Sequence, residues 1–150
     1  METKKSVQVS HVLLLIMLII GFIYGFFTMF LPEVLVSRSY PLYTGLSWTD
    51  FKITDPVLAN YILIMLRFTG GGALACALGA GIVLFTAYRK VEKWAWYFML
   101  VVSIIVWGNT LIGNIAYKNP VTITICVVGL LLVAIALIIS ARAFLGEKKE

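Results

Sequence analysis

Four long apolar runs separated by short polar segments dominate the amino-acid sequence. They cover residues 11–31, 57–88, 94–117 and 121–140. A helix needs about 20 apolar residues to cross a hydrocarbon core of about 30 Å, and each run is long enough to do so. The pattern therefore predicts an all-α fold, an integral membrane four-helix bundle. Because these four helices use nearly the whole chain, residues 1–150 are expected to form a single transmembrane domain.

Two of the predicted helices have well-marked starts. Asp55-Pro56 precedes the second helix and Asn119-Pro120 precedes the fourth. The Asp or Asn side chain can accept hydrogen bonds from free backbone N–H groups, and the proline lacks an N–H where none is needed. The first apolar run follows a short basic segment, but it is too long for the core of a cleaved signal peptide. We therefore expect it to be an uncleaved membrane anchor.

The connection between the first and second helices, residues 32–55, is longer than the other connections and rich in bulky apolar residues. Loops of more than about 12–15 residues usually carry local structure or a function, and this composition is not typical of a disordered linker. Ser47 and Asp50 have the spacing of a capping box, which indicates a single helical turn. We expect a compact, structured loop that lies as a cap on the outer side of the membrane.

Arg67 lies inside the second apolar run, and the length of that helix decides its depth. Arg89 follows the run and is expected at the inner headgroups. The 22 residues from Arg67 to Arg89 span about 33 Å, close to the hydrocarbon thickness. This register predicts a membrane part at about 68–88 and leaves residues 57–66 outside the membrane, covered by the cap. The alternative register, with 57–77 in the membrane, buries Arg67 centrally and costs at least about 2.5 kcal/mol.

Composition and charge agree with a membrane protein. Hydrophobic residues make up 61% of the chain and charged residues 13%, against about 45–50% and 25% in soluble domains. The positive-inside rule predicts both termini in the cytoplasm, N-in and C-in, for a protein of the cell membrane. A nucleic-acid partner is not expected, because the basic residues flank the apolar runs instead of forming one soluble face. These flanking residues are Lys4, Lys5, Arg89, Lys90, Lys93, Arg142, Lys148 and Lys149.

The sequence holds no recognisable catalytic set. His11 is the single histidine, no two carboxylates share a predicted helix, and no Ser-His-Asp, haem-ligating or metal-ligating pattern is present. Cys76 and Cys126 fall inside predicted helices without a C-x-x-C pattern, which is typical of small buried hydrophobic residues. A proton-coupled transporter normally needs an acid within the membrane, and the predicted helices have none. We therefore expect a non-enzymatic protein with no cofactor and no metal.

Five polar residues are expected in the outer half of the bundle: Arg67, Glu33, Asn109, Asn114 and Asn60. Polar groups at membrane depth require partners, because lipid offers none. In one interpretation the cluster is structural: Arg67 pairs with Glu33 or extends its side chain to the membrane surface, and the amides bond across helices. In the other, Arg67 donates hydrogen bonds to a small anionic or lipid ligand in an outer-half pocket.

Small residues recur at helical spacing in two of the predicted helices. Gly71, Ala75 and Gly79 lie four apart in the second helix, and Gly21 and Gly25 repeat the pattern in the first. Without side-chain bulk, a neighbouring backbone can approach closely, as in small-xxx-small packing. These rows indicate either tight packing inside one molecule or association between copies.

Part of the chain resembles known membrane proteins. The Gly45-Leu46-Ser47-Trp48 element is similar to one in the first outer loop of claudins, but the two cysteines that follow it there are missing here. A broader set of segments, TGLSWTDF, DPVLANYI, LRFTGGGALACALGAG and YRKVEKWAWY, resembles a loosely DoxX-like group of small bacterial and archaeal four-span proteins. The resemblance implies a four-helix integral membrane protein, and it carries no catalytic residues over to this chain.

Two hypotheses for the function follow from these observations. The first is a non-enzymatic subunit or assembly and interaction protein, which associates with another membrane protein or with copies of itself. It depends on the small-residue rows and on the missing catalytic sets. The second is a binder or carrier of a small anionic or lipid ligand at Arg67.

Overall fold

The computed structural model describes the backbone of residues 2–146 and the side chains of residues 4–146, so Lys148 and Lys149 lie outside the described residues. Within this range the chain is helical without strands: α1 Glu2–Phe30, α2 Pro32–Thr44, α3 Trp48–Thr54, α4 Pro56–Val83, α5 Lys93–Ala116 and α6 Pro120–Leu145. One π-helical turn, Leu84–Tyr88, continues α4. Helices α1, α4, α5 and α6 are long and apolar enough to cross a membrane. The chain is an all-α, multi-pass membrane protein, as predicted.

The predicted helix starts are confirmed by hydrogen bonds. Asp55 Oδ1 accepts from the Leu58 N–H at 3.0 Å at the start of α4. Asn119 Oδ1 accepts from the Thr122 N–H at 3.3 Å at the start of α6. In both helices the proline occupies the first turn, where its missing N–H leaves no bond unmade.

Helix α1 is longer than its apolar run, because it begins at Glu2 and not near residue 11. The polar first turns remain helical since part of their surface is packed, and Ser10 is fully buried. The four long helices alternate in direction. One end of the bundle, which we call the terminal end, therefore contains the starts of α1 and α5 and the ends of the π-helical turn and α6. The opposite end, next to α2 and α3, is the cap end.

The segment 32–55 forms a structured cap, as predicted, but it contains more helix than the single turn expected. Pro32 lies in the first turn of α2, a 13-residue helix, and α3 has seven residues. Ser47 caps α3 by accepting from the Asp50 N–H, at a long 3.5 Å. Between the two helices, Gly45 adopts a φ of +75°, a left-handed conformation that glycine takes without steric cost.

The cap packs against the first half of α4. Its buried residues Val36 and Trp48 form a cluster with Ala59 of α4. Ile62 and Leu66 of α4 continue the packed surface. Helix α4 and its π-helical turn contain 33 residues, or about 50 Å of helix, which exceeds a hydrocarbon core of about 30 Å. The cap covers the part of this helix where the excess length was expected.

The turns that end the π-helical segment and α5 share one uncommon backbone feature. Val91 and Lys118 have φ values of +59° and +54°. In each turn the next residue donates to a carbonyl five residues back: the Glu92 N–H to Ala87 O at 3.1 Å and the Asn119 N–H to Asn114 O at 3.1 Å. This pattern is the Schellman motif, in which glycine normally takes the left-handed position. Both turns therefore hold a strained non-glycine residue.

Helix α1 lies at the centre of the bundle. It packs most extensively against α4, on its other side it packs against α6, and α5 packs against α6. Helices α4 and α5 share few contacts, although one tight turn connects them. The main apolar core lies toward the terminal end, where Leu14, Leu84, Tyr88 and Met99 are almost fully buried. The helices are consequently tightly packed at the terminal end. Further from the terminal end, α4 and α5 are less tightly packed against each other.

Candidate functional site

Arg67 is an exposed residue of α4, and its side chain forms no hydrogen bond or ion pair with the residues that the structure describes. Glu33 lies in the first turn of α2 and forms an ion pair with Lys52 of α3 instead. Both side chains of that pair are half exposed. The pairing of Arg67 with Glu33, one of the two alternatives in the structural interpretation, is therefore not formed, because Glu33 pairs with Lys52.

The three asparagines do not converge on Arg67 either. Asn60 and Asn109 are exposed, and Asn114 donates to the Thr110 backbone oxygen of its own helix at 2.8 Å. That bond runs within α5, so it does not join two helices. Among the described hydrogen bonds, none links the five predicted site residues to one another.

Helices α1 and α4 approach each other closely at two glycines. A methyl group on Gly70 would lie 2.3 Å from the backbone nitrogen of Met29, and one on Gly25 would lie 2.8 Å from the backbone nitrogen of Leu74. Gly25 belongs to the predicted row, whereas Gly70 lies one position before the row in α4. Gly21 makes no such approach, since a methyl group there would meet no neighbouring helix within 4 Å.

The predicted row of α4, in contrast, lies away from α1. Ala75 is exposed, a methyl group on Gly79 would have no atom of a neighbouring helix within 4 Å, and one on Gly71 would meet only the Met29 sulfur at 3.9 Å. Together with Gly72, these residues form a shallow notch, which we call the small-residue face. The side chains of Phe68 and Ile82, 73% and 66% exposed, stand at its two ends. Apart from the Met29 sulfur near Gly71, the glycines of the small-residue face meet no neighbouring helix within 4 Å among the described residues.

A cavity of about 340 Å³ lies between the four long helices. Gly21 and Tyr24 of α1, Ala77 of α4, Trp107 of α5 and Cys126 of α6 line it, and Leu35 of α2 reaches it from the cap. The lining is mostly apolar, and the cavity lies where α4 and α5 share few contacts. Arg67 does not line this cavity.

A buried network of three hydroxyl groups joins three segments at the terminal end. The Tyr88 hydroxyl lies 2.5 Å from Ser10 Oγ and 2.8 Å from Ser140 Oγ, and all three residues are fully buried. Tyr88 closes the π-helical turn, and Phe144 packs on its ring at a centroid distance of 4.5 Å. Sequence reasoning missed this network. Its signal in the sequence is weak: a hydroxyl residue lies near the terminal end of each of three apolar runs, but Ser6 and Thr86, close to two of them, have the same kind of group.

The chemistry available in the described part of the chain is limited. Cys76 and Cys126 are free thiols, the first exposed and the second buried. No group of three or more His, Cys, Asp or Glu side chains among the described residues is placed to hold a metal ion. The distinctive features of the structure are thus surfaces and cavities, and they include the small-residue face and the interhelical cavity.

Comparison of the chain with known protein families, with curated proteins and with solved structures gives no match. The resemblance to DoxX-like proteins therefore stays a prediction from the sequence.

Proposed function

We propose that this chain is a non-enzymatic protein of the cell membrane that acts by associating with other transmembrane helices, as a subunit or assembly factor. One observation carries the proposal: among residues 4–146 a methyl group on Gly72 or Gly79 of the small-residue face would meet no neighbouring helix within 4 Å, while Gly25 and Gly70 provide the close packing within the molecule. The exposed position of this row supports the second of the two interpretations of Gly71, Ala75 and Gly79, association between molecules.

A physical cost supports the same conclusion. Each glycine inside a helix lowers helix stability by about 0.8–1.0 kcal/mol relative to alanine. In lipid, a notch lined by Gly71, Gly72 and Gly79 recovers little of this free energy, because acyl chains pack as well against leucine as against glycine. A second helix gains more, since the missing side chains let two backbones approach closely. The small-residue face therefore suits a protein partner better than a lipid one.

The partner that suits this face best is α4 of a second copy. A row of small residues lets a second such row approach closely, and a two-fold axis brings the same face of two copies together. The proposed orientation has both termini in the cytoplasm. It is supported by the basic residues near the terminal end, which follow the positive-inside rule: Lys4, Lys5, Arg89, Lys90, Lys93 and Arg142.

The test compares two identical substitutions. Gly79→Leu fills the small-residue face, whereas Gly108→Leu adds the same side chain on α5, where a methyl group also meets no neighbouring helix within 4 Å. We expect Gly79→Leu to weaken dimerisation in liposomes by about tenfold or more, measured by energy transfer between labelled copies, and Gly108→Leu to leave it unchanged. A monomeric wild type, or equal behaviour of the two variants, would overturn the proposal.

The interhelical cavity favours a second candidate function, the binding of a lipid-like ligand. Its volume of about 340 Å³ lies within the range of small-molecule sites, about 300–1,000 Å³. The support comes from this cavity and not from Arg67, which does not line it. We expect Ala77→Phe, which fills the cavity, to abolish stoichiometric co-purification of lipid in native mass spectrometry. Leu78→Phe, at the next and 53% exposed position, should retain it, and retention by both variants would contradict this function.

A further inference from the structure

A groove of about 680 Å³ opens at the terminal end of the bundle, opposite to the cap. Lys4, Gln8 and His11 line it from one face of α1, and Arg89 lines it from the turn that follows the π-helical segment. Val91 and Ala143 add apolar surface from that turn and from α6. We call this feature the basic groove. Its polar groups come from two segments that are far apart in sequence and that the fold brings together.

The described residues that line the basic groove include cations and no acidic side chain. Lys4 and Arg89 are exposed, and the single ion pair among residues 4–146 joins Lys52 and Glu33 at the cap. Glu92, the acid nearest to Arg89 in the sequence, accepts a hydrogen bond from Trp94 Nε1 at 2.5 Å. Two uncompensated cations in one concave site attract an anion.

His11 adds an observation that does not depend on charge. Its ring packs edge-to-face on Phe85 with centroids 5.3 Å apart, so its position is fixed by packing. Its Nδ1 is enclosed and has no hydrogen-bond partner among the described residues. An enclosed polar atom without a partner costs free energy. The groove therefore holds a fixed imidazole ring with one nitrogen that has no hydrogen-bond partner among residues 4–146.

We infer that the basic groove binds an anionic phosphate group. A guanidinium donates two parallel hydrogen bonds to phosphate oxygens, and an ammonium adds a point charge. The groove lies where the long helices end, which is where lipid headgroups meet a membrane-spanning helix. Beside its cations it offers the apolar surface of Val91 and Ala143, which suits the glycerol and first methylene groups of a phospholipid. A lipid headgroup and free inorganic phosphate share the recognised chemistry.

The experiment uses the full-length protein in detergent and titrates three probes: phosphatidylglycerol, phosphatidylcholine and inorganic phosphate, with binding followed by native mass spectrometry. The groove variant is Lys4→Gln with Arg89→Gln. The control is Lys90→Gln with Lys93→Gln, which removes the same charge at exposed positions outside the groove lining. We expect the groove variant to bind phosphatidylglycerol about tenfold or more weakly than wild type, and the control to lose less than about threefold.

A third variant separates a built site from a diffuse positive surface. His11→Phe keeps an aromatic ring beside Phe85 and removes both ring nitrogens, so it should weaken phosphatidylglycerol binding without lowering the thermal stability of the protein. Groove-dependent binding of phosphatidylglycerol alone identifies a lipid site, and groove-dependent binding of inorganic phosphate as well identifies a site for free phosphate. Equal losses in the groove and control variants, an unchanged affinity in His11→Phe, or equal binding of phosphatidylcholine would overturn the inference.

Discussion

Three consecutive glycines in α4 give the sharpest test of the helix packing, because the same substitution should have opposite effects at neighbouring positions. A methyl group on Gly70 would lie 2.3 Å from Met29 N and 2.7 Å from the Thr28 carbonyl carbon. Carbon atoms in contact normally lie about 3.5–4.0 Å apart, so α1 and α4 would have to separate by about 1 Å. On Gly72 the same methyl group would meet no neighbouring helix within 4 Å.

The expected change in the free energy of unfolding is the difference between two opposing effects. Over-packing costs about 1–3 kcal/mol, and the upper part of that range applies because the obstacle is backbone and cannot change rotamer. Replacing glycine by alanine inside a helix returns up to about 1 kcal/mol. We therefore expect Gly70→Ala to lower the free energy of unfolding by about 2 kcal/mol. Gly71→Ala and Gly72→Ala should leave it unchanged or raise it by up to about 1 kcal/mol.

The assay is reversible unfolding of the monomeric protein in mixed micelles by a denaturing detergent, followed by tryptophan fluorescence. Gly25→Ala, which faces Leu74 N at 2.8 Å, should destabilise the protein less than Gly70→Ala. The double variant should be less destabilised than the sum, because one separation of α1 and α4 relieves both clashes. If Gly70→Ala and Gly72→Ala agree within about 0.5 kcal/mol, the close approach of α1 and α4 is refuted.

Three further substitutions test other parts of the fold by the same unfolding measurement. Val91→Gly should raise the free energy of unfolding by about 1 kcal/mol, because it removes the strain of a left-handed backbone conformation. Val91→Ala should change the free energy of unfolding by less. If Val91→Gly destabilised the protein, that strain would be excluded. Tyr88→Phe should lower the free energy of unfolding by about 1 kcal/mol, whereas Tyr97→Phe, at an exposed position, should not. Equal effects of the two substitutions would show that the hydroxyl network does not stabilise the fold. Lys52→Gln should cost less than about 1 kcal/mol, since its ion pair is half exposed; a larger loss would show that the cap depends on that pair.

The features that sequence predicted well depend on local chemistry. The starts of α4 and α6 follow from Asp55-Pro56 and Asn119-Pro120, where the capping group and the first turn lie within four residues of one another. The capped start of α3 at Ser47 is of the same kind. The prediction of four membrane-spanning helices required only the length and composition of the apolar runs. Helix α2 was missed, because its apolar and polar residues follow no clear helical period and Pro41 lies inside it.

The features that sequence could not predict depend on which helix faces which. Arg67 and Glu33 lie at compatible depths, but the choice of Lys52 as the partner of Glu33 requires the path of the cap. The same holds for the glycines of α4. Gly70 and Gly71 are adjacent and chemically identical, and only the rotation of α4 against α1 decides that Gly70 is buried while Gly71 borders the small-residue face.

Cross-linking through the small-residue face in native membranes tests the proposed function most directly. In a background of Cys76→Ser and Cys126→Ser, one cysteine is placed at Ala75 in the middle of the face. A control cysteine replaces the exposed Val127 on α6. The two positions have similar depth, since Ala75 precedes Tyr88 by as many residues as Val127 precedes its hydrogen-bonded neighbour Ser140. Self-association predicts a disulfide-linked dimer from Ala75→Cys and little or none from Val127→Cys. Equal cross-linking at both positions, or none at Ala75, would contradict the account.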